Sequence, residues 1–205
     1  MLLETRRLPA PLHKPPKLHS DALLMSFKNH WRIRQIYNEI IGLNDIDHFS
    51  INIVDPNGEM SIISYNPSIV YKIFQDGTYL YNGTISPTYY ENLDFYTWDQ
   101  CYDRRFYTSI KNSLQVKNGI DTGVNMIHRE FGHHILFSFA SKRKNSDLLA
   151  NSIENSREFL KIGFHFLDLI KDIYAQYNHS DAFSLIKQPA FIKPVCRLPN
   201  LNLIK

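Results

Sequence analysis

From His48 onward the chain alternates between apolar and polar positions. Phe49, Ile51 and Ile53 fall on one side and Ser50 and Asn52 on the other, the period-two pattern of a β-strand. Asp55-Pro56-Asn57-Gly58 then supplies a turn, because proline presets its own φ and Asn-Gly tolerates positive φ. A second strand from Met60 to Tyr65 completes an antiparallel hairpin. The alternation returns in Val124, Met126 and His128, and again in Ile135, Phe137 and Phe139, around an Arg129-Glu130-Phe131-Gly132 turn. These positions predict a second hairpin.

Between and around the hairpins the spacing becomes helical. Leu24, Phe27, Trp31, Ile36 and Ile40 predict an amphipathic helix, with Ser20-Asp21 as its N-cap and Gly42 as its stop. Asn66-Pro67-Ser68 opens a short helix to about Gln75, which Asp76-Gly77 ends. A further helix is expected from Tyr102 to about Val116. The last lies within Ser152 to Tyr177, where Phe159, Phe166, Ile170, Ile173 and Tyr177 form a stripe. Residues 79 to 101 carry seven aromatics, Tyr79, Tyr81, Tyr89, Tyr90, Phe95, Tyr96 and Trp98, without a clean period. Such rings line a ligand pocket or cover the edge of a core, and the pattern leaves both open. The element order fits an α+β fold: a central antiparallel sheet covered by helices on both faces, with a cavity between the sheet and one helical layer.

Composition narrows the classes. With 205 residues, 43% of them hydrophobic, the chain can bury one substantial core. Residues 1 to 19 contain four prolines among basic residues and read as a flexible, extended arm. The balance of 23 basic against 20 acidic residues gives a net charge of +3, far from the concentrated basic face of a nucleic-acid binder. Cys101 and Cys196 belong to no CxxC pair or dense framework, so a reduced, cytoplasmic compartment is expected. The N-terminus lacks the apolar core of a signal peptide, and no stretch approaches the roughly 20 apolar residues that span a bilayer.

Catalytic and metal motifs are weak. His128-Arg129-Glu130-Phe131-Gly132-His133-His134 resembles half of a zinc-protease helix, but the position four before His133 is Arg129, so two imidazoles cannot share one helical face. A metal-dependent hydrolase using His128, His133 and His134 remains the enzyme alternative. No Gly-x-Ser-x-Gly, Gly-x-Gly-x-x-Gly or phosphate-binding loop occurs. Glu91, Asp99 and Asp103 read as solvated carboxylates. Cys101, despite Arg104 and Arg105 nearby, reads as structural. No catalytic residue, metal or cofactor is expected.

One family resemblance emerges further along. Asn118-Gly119-Ile120-Asp121-Thr122-Gly123, followed by a hairpin and Ile135-Leu136-Phe137-Ser138-Phe139-Ala140-Ser141, resembles the Gly-Ile-x-x-Gly segment and the Phe-Ser-Phe-Ala-Ser strand of LuxR-type autoinducer-binding domains. Phe49 to Tyr65 is similar to that family's first hairpin, and Trp98 stands where the family has a pocket tryptophan. The resemblance covers about residues 20 to 178 and implies an α-β-α, PAS/GAF-like sensor domain. It also implies an acyl-homoserine lactone between sheet and helices, its head group held by a Trp, a Tyr and an Asp. Counting back from Trp98 by the family's spacing puts those three at Val70, Phe74 and Gly83, none with a hydrogen-bonding side chain. Losing such bonds removes about 0.5 to 1.5 kcal/mol each, and up to about 3 for a charged Asp. Asn82, one residue before Gly83, supplies an amide instead.

The expected protein is a non-catalytic, cytoplasmic sensor with an apolar pocket lined by Val70, Phe74, Tyr79, Trp98, Val124, Met126 and Ser138, with Asn82, Gly83 and Gly123 beside them. It takes a small apolar signal other than a standard lactone and acts by dimerising, with itself or with a full-length regulator. Residues 179 to 205 form a tail where family members carry a helix-turn-helix, so direct DNA binding is not expected, nor is a membrane. The alternative is a ligand-free pairing module or a truncated remnant.

Overall fold

A computed structural model describes residues 10–178 and 181–189, the side chains of 181 and 182 excepted. Its strands are β1 (Lys17–Leu18), β2 (His48–Val54), β3 (Glu59–Ser64), β4 (Phe95–Thr97), β5 (Thr122–Glu130) and β6 (His133–Ser141). They form one sheet in the order β1-β3-β2-β6-β5-β4. Every pairing is antiparallel except β1 with β3. Both expected hairpins are therefore present and adjacent. The second turns on Phe131 (φ 48°) and Gly132 (φ 75°), two consecutive left-handed residues of the kind a tight hairpin requires.

Strand parity divides the interior in two. Phe49, Ile51, Ile53, Val124, Met126, Ile135, Phe137 and Phe139 share one core with α1 (Leu24–Lys28), α2 (His30–Tyr37), α6 (Leu148–Glu154) and α7 (Ser156–Ala175). The α7 stripe drives this packing, with Phe159, Phe166, Ile170 and Ile173 all buried. Gly163 lets α7 come down on the sheet, since a Cβ there would lie 2.5 Å from Cγ of Phe137. The opposite sheet face meets α3 (Pro67–Gln75), α4 (Pro87–Tyr90) and α5 (Tyr107–Leu114).

The structure departs from the expected elements at several places, and α4 and β4 form within residues 79 to 101, where no element was expected. The first helix is two, broken at Asn29, whose side-chain amide donates to the Met25 carbonyl at 2.9 Å and competes with the helical ladder. The helix expected from Tyr102 begins at Tyr107, because Asp103 caps a preceding 3-10 turn by accepting from Arg105 N. Part of the expected flexible arm is packed: Pro16 is buried, and Lys17 and Leu18 pair with Glu59 and Met60. Beyond residue 178, Phe183 of α8 (Asp181–Leu185) packs on Tyr174 with ring centroids 4.2 Å apart, and Ile186 joins the core. The rest of that expected tail, and residues 1–9, lie outside the described residues. Among the described residues no helix is long and apolar enough to cross a membrane.

Candidate functional site

The alternating polar positions of β2 do not face water. His48, Ser50 and Asn52 are buried against the α3 layer, and the register aligns Ser50 with Ser138 and Ser138 with Asn125 across three strands. A cavity of about 40 Å³ lies over this row. Its polar wall is completed by Asn82, Thr84 and Trp98; its apolar wall is Ile62, Ile69, Val70, Ile73, Ile85 and Leu114. No Asp, Glu, Lys or Arg lines it. The enclosed space suits a few water-sized groups and falls well below the roughly 300 Å³ of a pocket for a drug-sized ligand.

Trp98 organises the middle of the polar wall. Its Nε1 donates to Asn125 Oδ1 and to Ser138 Oγ, each at 3.2 Å. Asn125 in turn donates through Nδ2 to the Thr84 carbonyl at 3.0 Å, which also accepts from the Tyr96 hydroxyl at 2.8 Å. Asn82 Oδ1 accepts from Thr84 N at 3.1 Å and fixes the loop that presents it. The ends of the β2 row are different. His48 Nδ1 and Asn52 Oδ1 are buried and have no hydrogen-bond partner. Burial, assisted by the positive charge of Lys142, pushes the His48 imidazole down to about 4, so it is neutral near pH 7.

Of the residues expected at the pocket, Val70, Asn82, Trp98 and Ser138 line the cavity. Val124 and Met126 do not, which corrects the expected lining: they share strand parity with Phe137 and Phe139 and point into the α7 core. Phe74, in the last turn of α3, and Tyr79, just beyond it, pack on each other with centroids 4.8 Å apart and stay half-buried outside the cavity lining. Gly83 and Gly123 bring backbone instead of side chains. A Cβ at Gly83 would lie 2.2 Å from the Cys101 carbonyl oxygen, and one at Gly123 would lie 2.1 Å from the Trp98 indole. The expected apolar pocket is therefore apolar on the α3 and α5 side and at Ile62 of β3, and polar along the rest of the sheet.

His48, Ser50, Asn52, Thr84 and Asn125 were not among the residues read as site. The signal for the first three was the polar half of the β2 alternation, which does not say which helical layer it meets. Of the irregular aromatic stretch only Trp98 reaches the cavity; Tyr81, Tyr90, Phe95 and Tyr96 are buried in core clusters. His128, His133 and His134 do not converge. His128 and His133 lie on the α7 face, against Phe164 and Phe183, while His134 points to the other face and packs on Tyr90. Among the described residues no group of three metal-ligating side chains occurs.

No family model matches the sequence, and no curated relative does either. Solved structures do resemble it. Escherichia coli SdiA superposes with a TM-score of 0.51 at 13% identity, covering 76% of this chain and 68% of that one. SdiA in complex with octanoyl-rac-glycerol gives 0.49 at 13%, covering 75% and 68%. CepR2 of Burkholderia cenocepacia, an N-acylhomoserine lactone dependent LuxR family transcription factor, gives 0.48 at 12%, covering 70% and 92%. The chain has the fold of a LuxR-type autoinducer-binding domain.

Proposed function

We propose that residues 20 to 178 form a non-catalytic domain that senses a small molecule in the cavity between the sheet and α3, and relays its presence by dimerising in the cytoplasm, with itself or with a full-length regulator. One observation carries the reading: a row of polar side chains is buried on one sheet face at a cavity, whereas the middle of the opposite face is filled by Phe49, Ile51, Ile135, Phe137 and Phe139. Folding has no need of that row, since burying a polar group costs free energy that an apolar side chain avoids. The autoinducer-binding fold supports the same reading. The apolar wall suits a signal that is mostly hydrocarbon, and the lack of a carboxylate at the cavity speaks for a signal other than a standard lactone. A ligand larger than about 40 Å³ requires α3 to move outward. Asn66-Pro67 and Asp76-Gly77 bound that helix and are its natural pivots.

The small cavity favours a second reading, in which the domain is a ligand-free pairing module. Native mass spectrometry of protein purified from its producing cells separates the two. A small molecule that leaves on denaturation is expected. Protein without one, whose melting temperature also ignores an extract of those cells, would belong to the pairing module.

A further inference from the structure

The hydrogen-bonding state of the cavity wall carries information about the ligand, granted the reading above that this cavity is a ligand site. In its middle, Trp98, Asn125, Ser138 and Thr84 satisfy one another. At the two ends of the polar β2 row, Asn52 Oδ1 and His48 Nδ1 have no partner. Both residues are more than nine-tenths buried and both line the cavity. Unpaired buried polar atoms are rare in folded proteins and each costs about 1 to 3 kcal/mol. Among the described residues nine such atoms occur, and these two are the ones that line this cavity, where one ligand can satisfy both.

Their separation sets a length. Residues 48 and 52 are four apart on a strand, on the same face, so their backbones stand about 13 Å apart at roughly 3.3 Å per residue. Between them lie Ser50 and, across the cavity, Ile69, Val70 and Ile73 of α3. The lack of any charged lining residue leaves an ionic ligand without compensation.

We propose that the cavity, opened by an outward movement of α3, takes an elongated, uncharged aliphatic ligand with a hydrogen-bonding group at each end, one donating to Asn52 Oδ1 and the other meeting His48 Nδ1, with its hydrocarbon middle against α3. Recognition at two separated neutral points distinguishes this from a single polar head group with a free tail. The β2 side chains His48 and Asn52 are then its specificity-determining residues.

Octane-1,8-diol, octan-1-ol and octanoate test this, with binding followed by Trp98 fluorescence in a Trp31→Phe background, which leaves one tryptophan, and by thermal shift. The diol is expected to bind at least about tenfold more tightly than octan-1-ol, and octanoate not to bind. Asn52→Leu and His48→Phe fill the same space without an unpaired atom, so both variants are expected to fold. Each is expected to weaken the diol about tenfold, the equivalent of one hydrogen bond of about 1.4 kcal/mol. Octanoate binding as well as the diol overturns the proposal, and so do variants that melt higher yet bind the diol unchanged, because water then satisfies the two atoms. Those results leave the sensor reading standing. Failure of all three probes and of a whole-cell extract overturns both.

Discussion

The Trp98 indole lies directly on the bare backbone of Gly123, so close that a Cβ there would fall 2.1 Å from Cδ2 of the ring. This contact sets the depth of the ring, and thereby lets Nε1 reach Asn125 and Ser138. Gly123→Ala is therefore expected to displace the indole and destabilise the domain by about 1 to 3 kcal/mol, the range of overpacking in a tight interior. Trp98→Phe keeps most of the packing and loses the donor, leaving two buried acceptors short of a bond at a similar cost. Urea unfolding measures both, and a Gly123→Ala midpoint equal to the parent's would rule out this seat.

Acid should weaken the domain through His48. The imidazole titrates at about 4 in the folded state, from a reference of 6.5, because burial disfavours its charged form. Between these values the unfolded chain binds a proton that the folded chain does not. Stability is therefore fully present above pH 6.5 and falls as the pH drops toward 4, by about 3 kcal/mol in all at 1.36 kcal/mol per pH unit. His133 and His134, each lowered chiefly by burial, act in the same direction. Urea midpoints measured from pH 7 to pH 4 are expected to fall less steeply in His48→Phe. Parallel curves for parent and variant would show that His48 is not the group responsible.

How much of this was legible depended on whether the signal was local. Both hairpins were, because period-two patterning and turn residues such as Pro56-Asn57-Gly58 act within a few positions. So was the α7 stripe. The break at Asn29 was not, since it depends on one side chain turning back to the Met25 carbonyl. The sheet face that carries the cavity was legible only in part. Alternation separates Val124 and Met126 from Asn125, but which set meets α7 and which meets α3 is decided by the tertiary fold. The same alternation set Ser50 and Asn52 apart from Phe49, Ile51 and Ile53 without showing what they face. Gly83 and Gly123 fall beside the pocket tryptophan, yet their role is backbone approach, which no side-chain pattern displays.

The N-terminal segment is expected to support the fold. Lys17–Leu18 cover the free edge of β3, His19 N donates to the Met60 carbonyl at 2.9 Å, and Ser86 Oγ donates to the Lys14 carbonyl at 2.8 Å. Arg105, held by the buried Asp103, also donates to the Ala10 carbonyl at 2.8 Å. The exposed Lys17–Glu59 ion pair adds little. At about 0.5 to 1.5 kcal/mol per hydrogen bond, deleting residues 1–19 should cost about 2 to 4 kcal/mol and bare the edge of β3 to pairing with other chains. Thermal melts with light scattering test this. A truncated protein that melts with the parent and stays monomeric would mean the segment is dispensable.

Cys101 offers a probe of the same region from behind. Its thiol is buried, donates to the Thr97 carbonyl at 3.4 Å, and is pushed well above the usual thiol range by burial. Arg104 and Arg105 follow closely in sequence, but Arg105 is turned onto Asp103. Only the thiolate attacks a disulfide reagent, so Cys101 should be nearly inert while the domain is folded. In a Cys196→Ser variant, with Cys101 the one remaining thiol, labelling by Ellman's reagent at pH 8 is expected to proceed only through opening of the structure. Its rate should then rise with urea and in Gly123→Ala, and fall when a ligand fills the cavity and stabilises the closed state. Rapid labelling of the native protein would show instead that the thiol is reachable without unfolding, and that the packing around Gly83 and Cys101 is looser than the contacts described.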